Sequence, residues 1–500
     1  MVYWMFGLGL LAPVWMGSHF PTEDGFAHLS WVEVYRTLGD PRSPLHQFFE
    51  RNLHWNTANA SYFALQYGLA TWLDPHLAQQ LVVSLIILAS VASAYVLSMT
   101  VAEEVTVGAL ASLVLIHSSW LYGGYLSFLV GVPLLVVSLA VLLRIVGPGD
   151  KPPSAAQYVI LSLLGVGGYY SHLIVGGIFV VLLGGAALFY GRRLGARALP
   201  LVVAALPVCV LILSYLFGQS LGTGRIRWEP LWKTMATFFG LAFFRGFANG
   251  SVLFWLALAL LAAVMAVLLW GTVRAFRRGE LPRDRRFVLV LAAVLAVFYF
   301  LSPDGAGQGY NLKARYQFVM WALLLPTLPY GMSHRARAAV AWAISLLLVW
   351  QIADFSGRVR RFNRAYIKVL EQAEVIPAGA TVSSVLPYSQ AGFEHSFIRV
   401  LASFPEELCY HRRCVVLGAH HSGTPFYWVW AGRSAKLTPD YLLNLTRDPR
   451  GRPGLEVGKR PRGRPSGHRS GRHSRVVKPA NRVARSSYRP LTQWRTGAAS

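Results

Sequence analysis

The chain has 500 residues, 54% of them hydrophobic and only 14% charged, with a mean hydropathy of +0.43. A water-soluble protein carries nearer a quarter charged residues, so the composition excludes an ordinary soluble enzyme and points to lipid as the solvent. The net charge of +25 is concentrated in about the last 55 residues and in a few short loops, so it does not by itself mark a nucleic-acid binder.

A helix needs roughly 20 apolar residues to cross a hydrocarbon core of about 30 Å. Runs of that character recur near 1–17, 76–99, 107–122, 125–144, 157–171, 173–190, 198–218, 251–273, 287–302, 314–331 and 338–353. They predict an all-α polytopic membrane protein with about 11 transmembrane helices. The first run has no basic segment before it and no small-residue cleavage site after it, and is read as a retained span.

After that run comes "HFPTEDGFAHLSW", His19 to Trp31. Thr22 behind Pro21 is a plausible N-cap, Phe26, Leu29, Val32 and Tyr35 share one face, and Gly39 sits where a helix ends. A second helix is expected from Ser43 or Pro44, including Phe48, Phe49 and Trp55. Both belong to a first outer loop, 18–75, lying on the membrane surface. Asp24 follows the expected cap, where a carboxylate is favoured by the helix dipole whether or not it does chemistry. His28 lies one turn on, facing the same side. The pair reads as an acid/base couple, as two metal ligands, or as a capped helix start with a solvated histidine. Glu23 points elsewhere, and its adjacency leaves the choice of base between the two carboxylates open.

Cytoplasmic loops are enriched in Lys and Arg. With the N-terminus inside, four of the five inner loops are basic, and the exception is Glu103-Glu104, with no basic residue beside it in sequence. The outer side then receives residues 19–74, the Tyr122 to Tyr125 turn, the Ser171-His172 turn, the loops 219–250 and 302–312, and everything after 353. His172, in a connection too short for a loop, is either an interfacial anchor or a group projecting into a cavity. His117 is a weaker case, explained by aromatic-belt packing. Lys313 and Arg315, in "NLKARYQF", open a span from the outer side, against the charge bias. Either they snorkel to headgroups, or a guanidinium there grips a phosphate.

Residues 354–446 read as a small α/β appendage, and 447–500 as a disordered basic tail without apolar period. Three cysteines are too few for a disulfide framework; Cys209 is a buried hydrophobe, and Cys409 and Cys414 could pair in an oxidising compartment. His411, His420 and His421 lie near them, but the spacing fits no zinc motif, so no metal ligand is assigned. "GKRPRGRPSG" resembles an AT-hook, yet Arg/Pro/Gly tracts produce such matches by chance, and no nucleic-acid partner is expected. No nucleotide-binding Gly-rich loop or HExxH motif occurs.

"TEDGFAHLSWVEVYRTL" and "GYNLKARYQFVMWALLLP" together resemble the GT-C class of polytopic membrane glycosyltransferases: a first span, a long outer loop with interfacial helices, many spans and an outer terminal domain. Similar bacterial proteins often read Asp-Gly-Pro-x-His after span one; this chain has Phe26 in place of the proline. The resemblance covers about residues 1 to 440. It implies transfer of a sugar from a polyprenyl-phosphate carrier to a glycan, lipid or protein acceptor outside the plasma (inner) membrane, with the N-terminus cytoplasmic and the C-terminal region extracytoplasmic. On it, Asp24 is the catalytic base of an inverting reaction, Lys313 or Arg315 binds the carrier phosphate, and Glu23, His28 and His172 line the substrate cavity. Some members use a divalent metal, such as Mg or Mn, with an additional acidic pair; here only Asp304 and Glu50 offer themselves, singly. The rival readings are a transporter or flippase for a lipid-linked or anionic substrate, and an inactive GT-C-like protein.

Overall fold

A computed structural model describes residues 1–43, 49–51, 55–147, 153–195, 198–218, 226–241, 252–305, 311–384, 409, 411–412, 415–416, 428–430, 440–447 and 453–459. The chain is a multi-pass helical membrane protein. Its helices are α1 Val2–Gly9, α2 Gly25–Thr37, α3 Ser61–Ala70, α4 Pro75–Ala102, α5 Val107–Ser112, α6 Ser119–Tyr122, α7 Leu126–Val146, α8 Ala155–Ser171, α9 Leu173–Leu194, α10 Ala198–Gly218, α11 Leu231–Phe239, α12 Val252–Arg277, α13 Arg283–Leu301, α14 Leu312–Leu324 and α15 His334–Gln372. The strands are β1 Phe49–Arg51, β2 Thr381–Ser384, β3 Val415–Val416, β4 Trp428–Trp430, β5 Tyr441–Arg447 and β6 Pro453–Lys459.

Length and apolarity support six of the eleven expected spans: α4, α7, α9, α10, α12 and α15. The stretch 107–122 is broken into α5, a 3-10 turn and α6, and the first run ends in a 3-10 turn at Ala12–Trp15. Along α10, Leu199, Val202, Val203, Leu206, Val210, Leu213 and Phe217 are exposed while Leu201, Ala204 and Val208 are buried. An apolar face left outside a well-packed bundle is a face for lipid.

The end of the bundle where α9 stops collects the basic groups. Arg193 donates to the Gly147 carbonyl at 3.1 Å, Arg283 to that of Phe189 at 3.1 Å, and Tyr190 to Asp284 at 2.8 Å. Glu104, without a basic neighbour in sequence, finds one in space: Arg337 lies 3.2 Å away. The opposite end, where α7, α9 and α14 begin, lies about 33 Å off by the length of α9.

Four elements differ from expectation here. Residues 49–51 form a strand, not part of a second interfacial helix: β1 pairs antiparallel with β4, Phe49 opposite Trp430, because backbone partners from the appendage decide over a weak local helix signal. α2 has Asp24, not Thr22, as N-cap, and the Asp24 side chain makes no capping hydrogen bond. α15 runs unbroken from the last span through residue 353 into the appendage, so one helix joins the two. The appendage carries a four-stranded sheet in the order β3-β2-β5-β6, β2 parallel to β3 and β5, and β6 antiparallel to β5. Thus β6 lies inside the segment expected to be structureless from 447. Cys409 is disulfide-bonded. Cys414, His420, His421 and residues 460–500, with most of the AT-hook-like stretch, lie outside the described residues.

Candidate functional site

The first element of the site is α2. The Glu23 N–H donates to the Tyr122 carbonyl at 2.8 Å, which fastens the start of α2 to the turn between α6 and α7. Gly124 in that turn has φ +81°, and a Cβ on it would sit 2.7 Å from both Cβ and N of Asp24. Only glycine combines that backbone with so close an approach.

The second element is the break between α8 and α9, a single residue. His172 is extended, ends α8 and caps α9, its Nδ1 accepting from the Ile174 N–H at 3.1 Å. The ring is buried, edge-on to Phe128. The third element, α14, starts from Asn311 in the left-handed region (φ 58°), a conformation asparagine tolerates. Asn311 Nδ2 donates to the Tyr125 hydroxyl at 2.8 Å.

Arg315, one turn into α14, is only 9% exposed and enters a cage of aromatic rings. Its guanidinium carbon lies 5.2 Å from the Tyr125 centroid, 5.8 Å from Phe128 and 5.9 Å from Trp120, which places it for cation–π attraction. Nη1 contacts Nε2 of His172, and Nε is buried with no hydrogen-bond partner among the described residues. Asp24 interacts electrostatically with Arg315, and both act on Tyr125.

The arrangement has a consequence for the imidazole. A neutral ring whose Nδ1 accepts must carry its proton on Nε2. Nε2–H and the Arg315 N–H are then two donors facing each other. An acceptor with negative charge bound beside the pair could take a hydrogen bond from each.

The structure therefore brings Asp24, Glu23 and Arg315 to Tyr125 and His172 to Arg315, and sends the other candidates elsewhere. Lys313, two residues before Arg315 and on another face of α14, donates from Nζ to Thr234 Oγ1 at 2.9 Å. It acts on Asp304, whose carboxyl is pushed up by burial and by Glu229 and held back by Lys313, Lys233 and Arg227. The Glu229–Lys233 pair, at 2.8 Å, belongs to the same cluster. Backbone bonds between Arg227 and residues 304 and 305 hold it together. The His28 ring packs 4.9 Å from Trp31 and 5.0 Å from Tyr62. The Glu50 side chain lies outside the described residues. Tyr125 and Asn311 were not singled out in the sequence; the only signal was the aromatic content of the turn, which a belt residue shares.

A hard cation such as Mg or Mn takes oxygen ligands. Among the described residues the group of three or more His, Cys, Asp or Glu able to hold a metal is His19, His76 and His411, which contains no carboxylate and neither Asp24 nor Asp304.

No family model matches the sequence, and no curated relative matches it. Among solved structures the chain is similar to ArnT from Cupriavidus metallidurans, solved bound to undecaprenyl phosphate, with 12% identity, a TM-score of 0.46, and coverage of 83% of this chain and 85% of that one.

Proposed function

We propose that this chain is a membrane glycosyltransferase moving a sugar from a polyprenyl-phosphate carrier to an acceptor hydroxyl at the extracytoplasmic face. The observation that carries this reading is the convergence of Asp24, buried Arg315 and His172 at the helix-start end of the bundle, with Arg315 Nε left without a hydrogen-bond partner among the described residues. A lipid carrier keeps its phosphate at headgroup level, so base and phosphate ligands are needed at helix ends rather than mid-bundle. The basic groups gathered at the opposite end make that end cytoplasmic by the loop-charge bias, with the N-terminus inside and the appendage outside.

In the reaction the Asp24 carboxylate takes the proton of the acceptor O–H as the acceptor oxygen bonds to the anomeric carbon. The bond from that carbon to the phosphate oxygen breaks, and the carrier phosphate leaves with the electron pair. Arg315 and the Nε2–H of His172 donate to its oxygens. The N-terminus of α2 favours an ionised Asp24. Glu23 borders the acceptor side, and Lys313 acts on Asp304 rather than on the phosphate.

A transporter or flippase is the second reading, favoured by the interrupted helix at 107–122, since broken helices are the usual frame of a transport site. Purified protein reconstituted with radiolabelled polyprenyl-phosphate sugars separates the two. Wild type transfers label and Asp24→Asn loses about 100-fold or more. Unchanged transfer by the variant removes Asp24 as base, and label crossing the membrane without transfer selects the transporter.

A further inference from the structure

Away from Asp24, the structure places three imidazoles from distant parts of the chain together. His19 follows the first apolar run, His76 lies in the first turn of α4, and His411 belongs to the appendage. One ligand atom from each lies within 4.8 Å of the others. His19 and His76 are buried and His411 is exposed. The His19 and His76 rings meet edge-on at 4.2 Å, and His76 and His411 stack at 5.4 Å.

Each ligand sits on a backbone fixed by its own bonds. Asn363 of α15 grips His19 from both sides, its Oδ1 accepting from the His19 N–H at 2.9 Å and its Nδ2 donating to the His19 carbonyl at 2.8 Å. The Asp74 cap accepts from the His76 N–H at 2.9 Å. Next to His411, Arg412 donates from Nε to the Ile376 carbonyl at 3.0 Å and from Nη2 to that of Glu374 at 2.7 Å, tying this segment to the end of α15. Ser18 Oγ lies 2.7 Å from His19 Nδ1. In the tautomer with the proton on Nδ1, the hydroxyl accepts from Nδ1–H and the ring keeps its lone pair on Nε2, the role that outer partners play for metal-bound histidines.

We propose that His19, His76 and His411 form a zinc site that fastens the appendage to the membrane-embedded part of the chain. Imidazole donors select zinc over Mg, Mn or Ca, which take oxygen. Two imidazole nitrogens at 2.0–2.1 Å from a tetrahedral zinc stand about 3.3 Å apart, so side-chain rotation, most freely of exposed His411, closes the present gap. Three protein nitrogens leave the fourth position to water on the exposed side. The fastening is not local: the ligands are 57 and 335 positions apart in sequence (76 − 19 and 411 − 76). The site stands independently of the glycosyltransferase reading.

The test uses the full chain in detergent, without a polyhistidine tag, stripped with chelator and resupplied with zinc. Elemental analysis is expected to find about one zinc per chain, and zinc but not magnesium to raise the melting temperature. His411→Gln, exposed and therefore safe for folding, and His76→Gln are each expected to lose both effects, with circular dichroism confirming helicity. Ser18→Ala is expected to keep the stoichiometry with about tenfold weaker affinity. His420→Gln/His421→Gln is expected to retain zinc. Absence of stoichiometric zinc in wild type, full binding by His411→Gln, or loss on changing His420 and His421 instead overturns the site; none of these touches sugar transfer by Asp24.

Discussion

Arg315 reaches across the bundle to touch His172, 143 residues away, at the single residue where α8 ends and α9 begins. Because Nδ1 of that histidine caps α9, its other nitrogen is left facing the guanidinium, and the proposed phosphate site is built on this pair, with the aromatic cage around the guanidinium.

Arg315→Lys tests how much of this site depends on the planar fork. Lysine keeps the charge but cannot present two parallel N–H groups or stack on Tyr125 in the same way. Transfer is expected to fall about 100-fold, in the range for removing one preorganised donor, with the fold retained by circular dichroism.

Gly124→Ala should disturb Asp24, the proposed base, from outside the reacting groups. At φ +81° an L-residue is strained by about 1–2 kcal/mol, and its Cβ also meets Asp24 at 2.7 Å. Both the melting temperature and transfer are expected to drop. Gly39→Ala, with nothing within 4 Å of the added Cβ, is the matched control and should leave both near wild type.

Asp304 gives the pH dependence. Burial, then Glu229, pushes its carboxyl above the ordinary range, so the folded chain holds that proton more tightly than the unfolded one. The resulting stability is fully present below the unfolded value near 3.8 and is lost as pH rises through the higher folded value. Asp304→Asn is therefore expected to match wild type in melting temperature at low pH and to exceed it by about 1 °C at neutral pH. Parallel thermal melts across that window check it; a variant less stable at neutral pH contradicts the sign.

Gln351→Leu probes the broken helix. Gln351 Nε2 donates to the carbonyls of Val114 at 3.0 Å and His117 at 3.3 Å, where the turn between α5 and α6 leaves them without helical partners. Removing the amide leaves buried carbonyls unmet at about 1–3 kcal/mol. Thermal stability should fall, while the concentration of donor giving half-maximal transfer stays unchanged, since Arg315 and His172 are untouched.

The sequence by itself determined that lipid is the solvent, six of the long apolar runs that become spanning helices, and that Arg315 opens α14 against the charge bias. Those properties follow from composition and local periodicity, which neighbouring residues fix among themselves. Only the tertiary structure decided which candidates meet. Lys313 and Arg315 are two residues apart, yet a rotation of about 200° around the helix turns one to Thr234 and the other to His172. Residues 49–51 became a strand because β4 supplied backbone partners from almost 380 residues further on. The grouping of His19, His76 and His411 has no spacing to betray it, because these residues are brought together by α4 and α15 packing on the same 3-10 turn at Ala12–Trp15 and by anchors such as Asn363, not by any local motif.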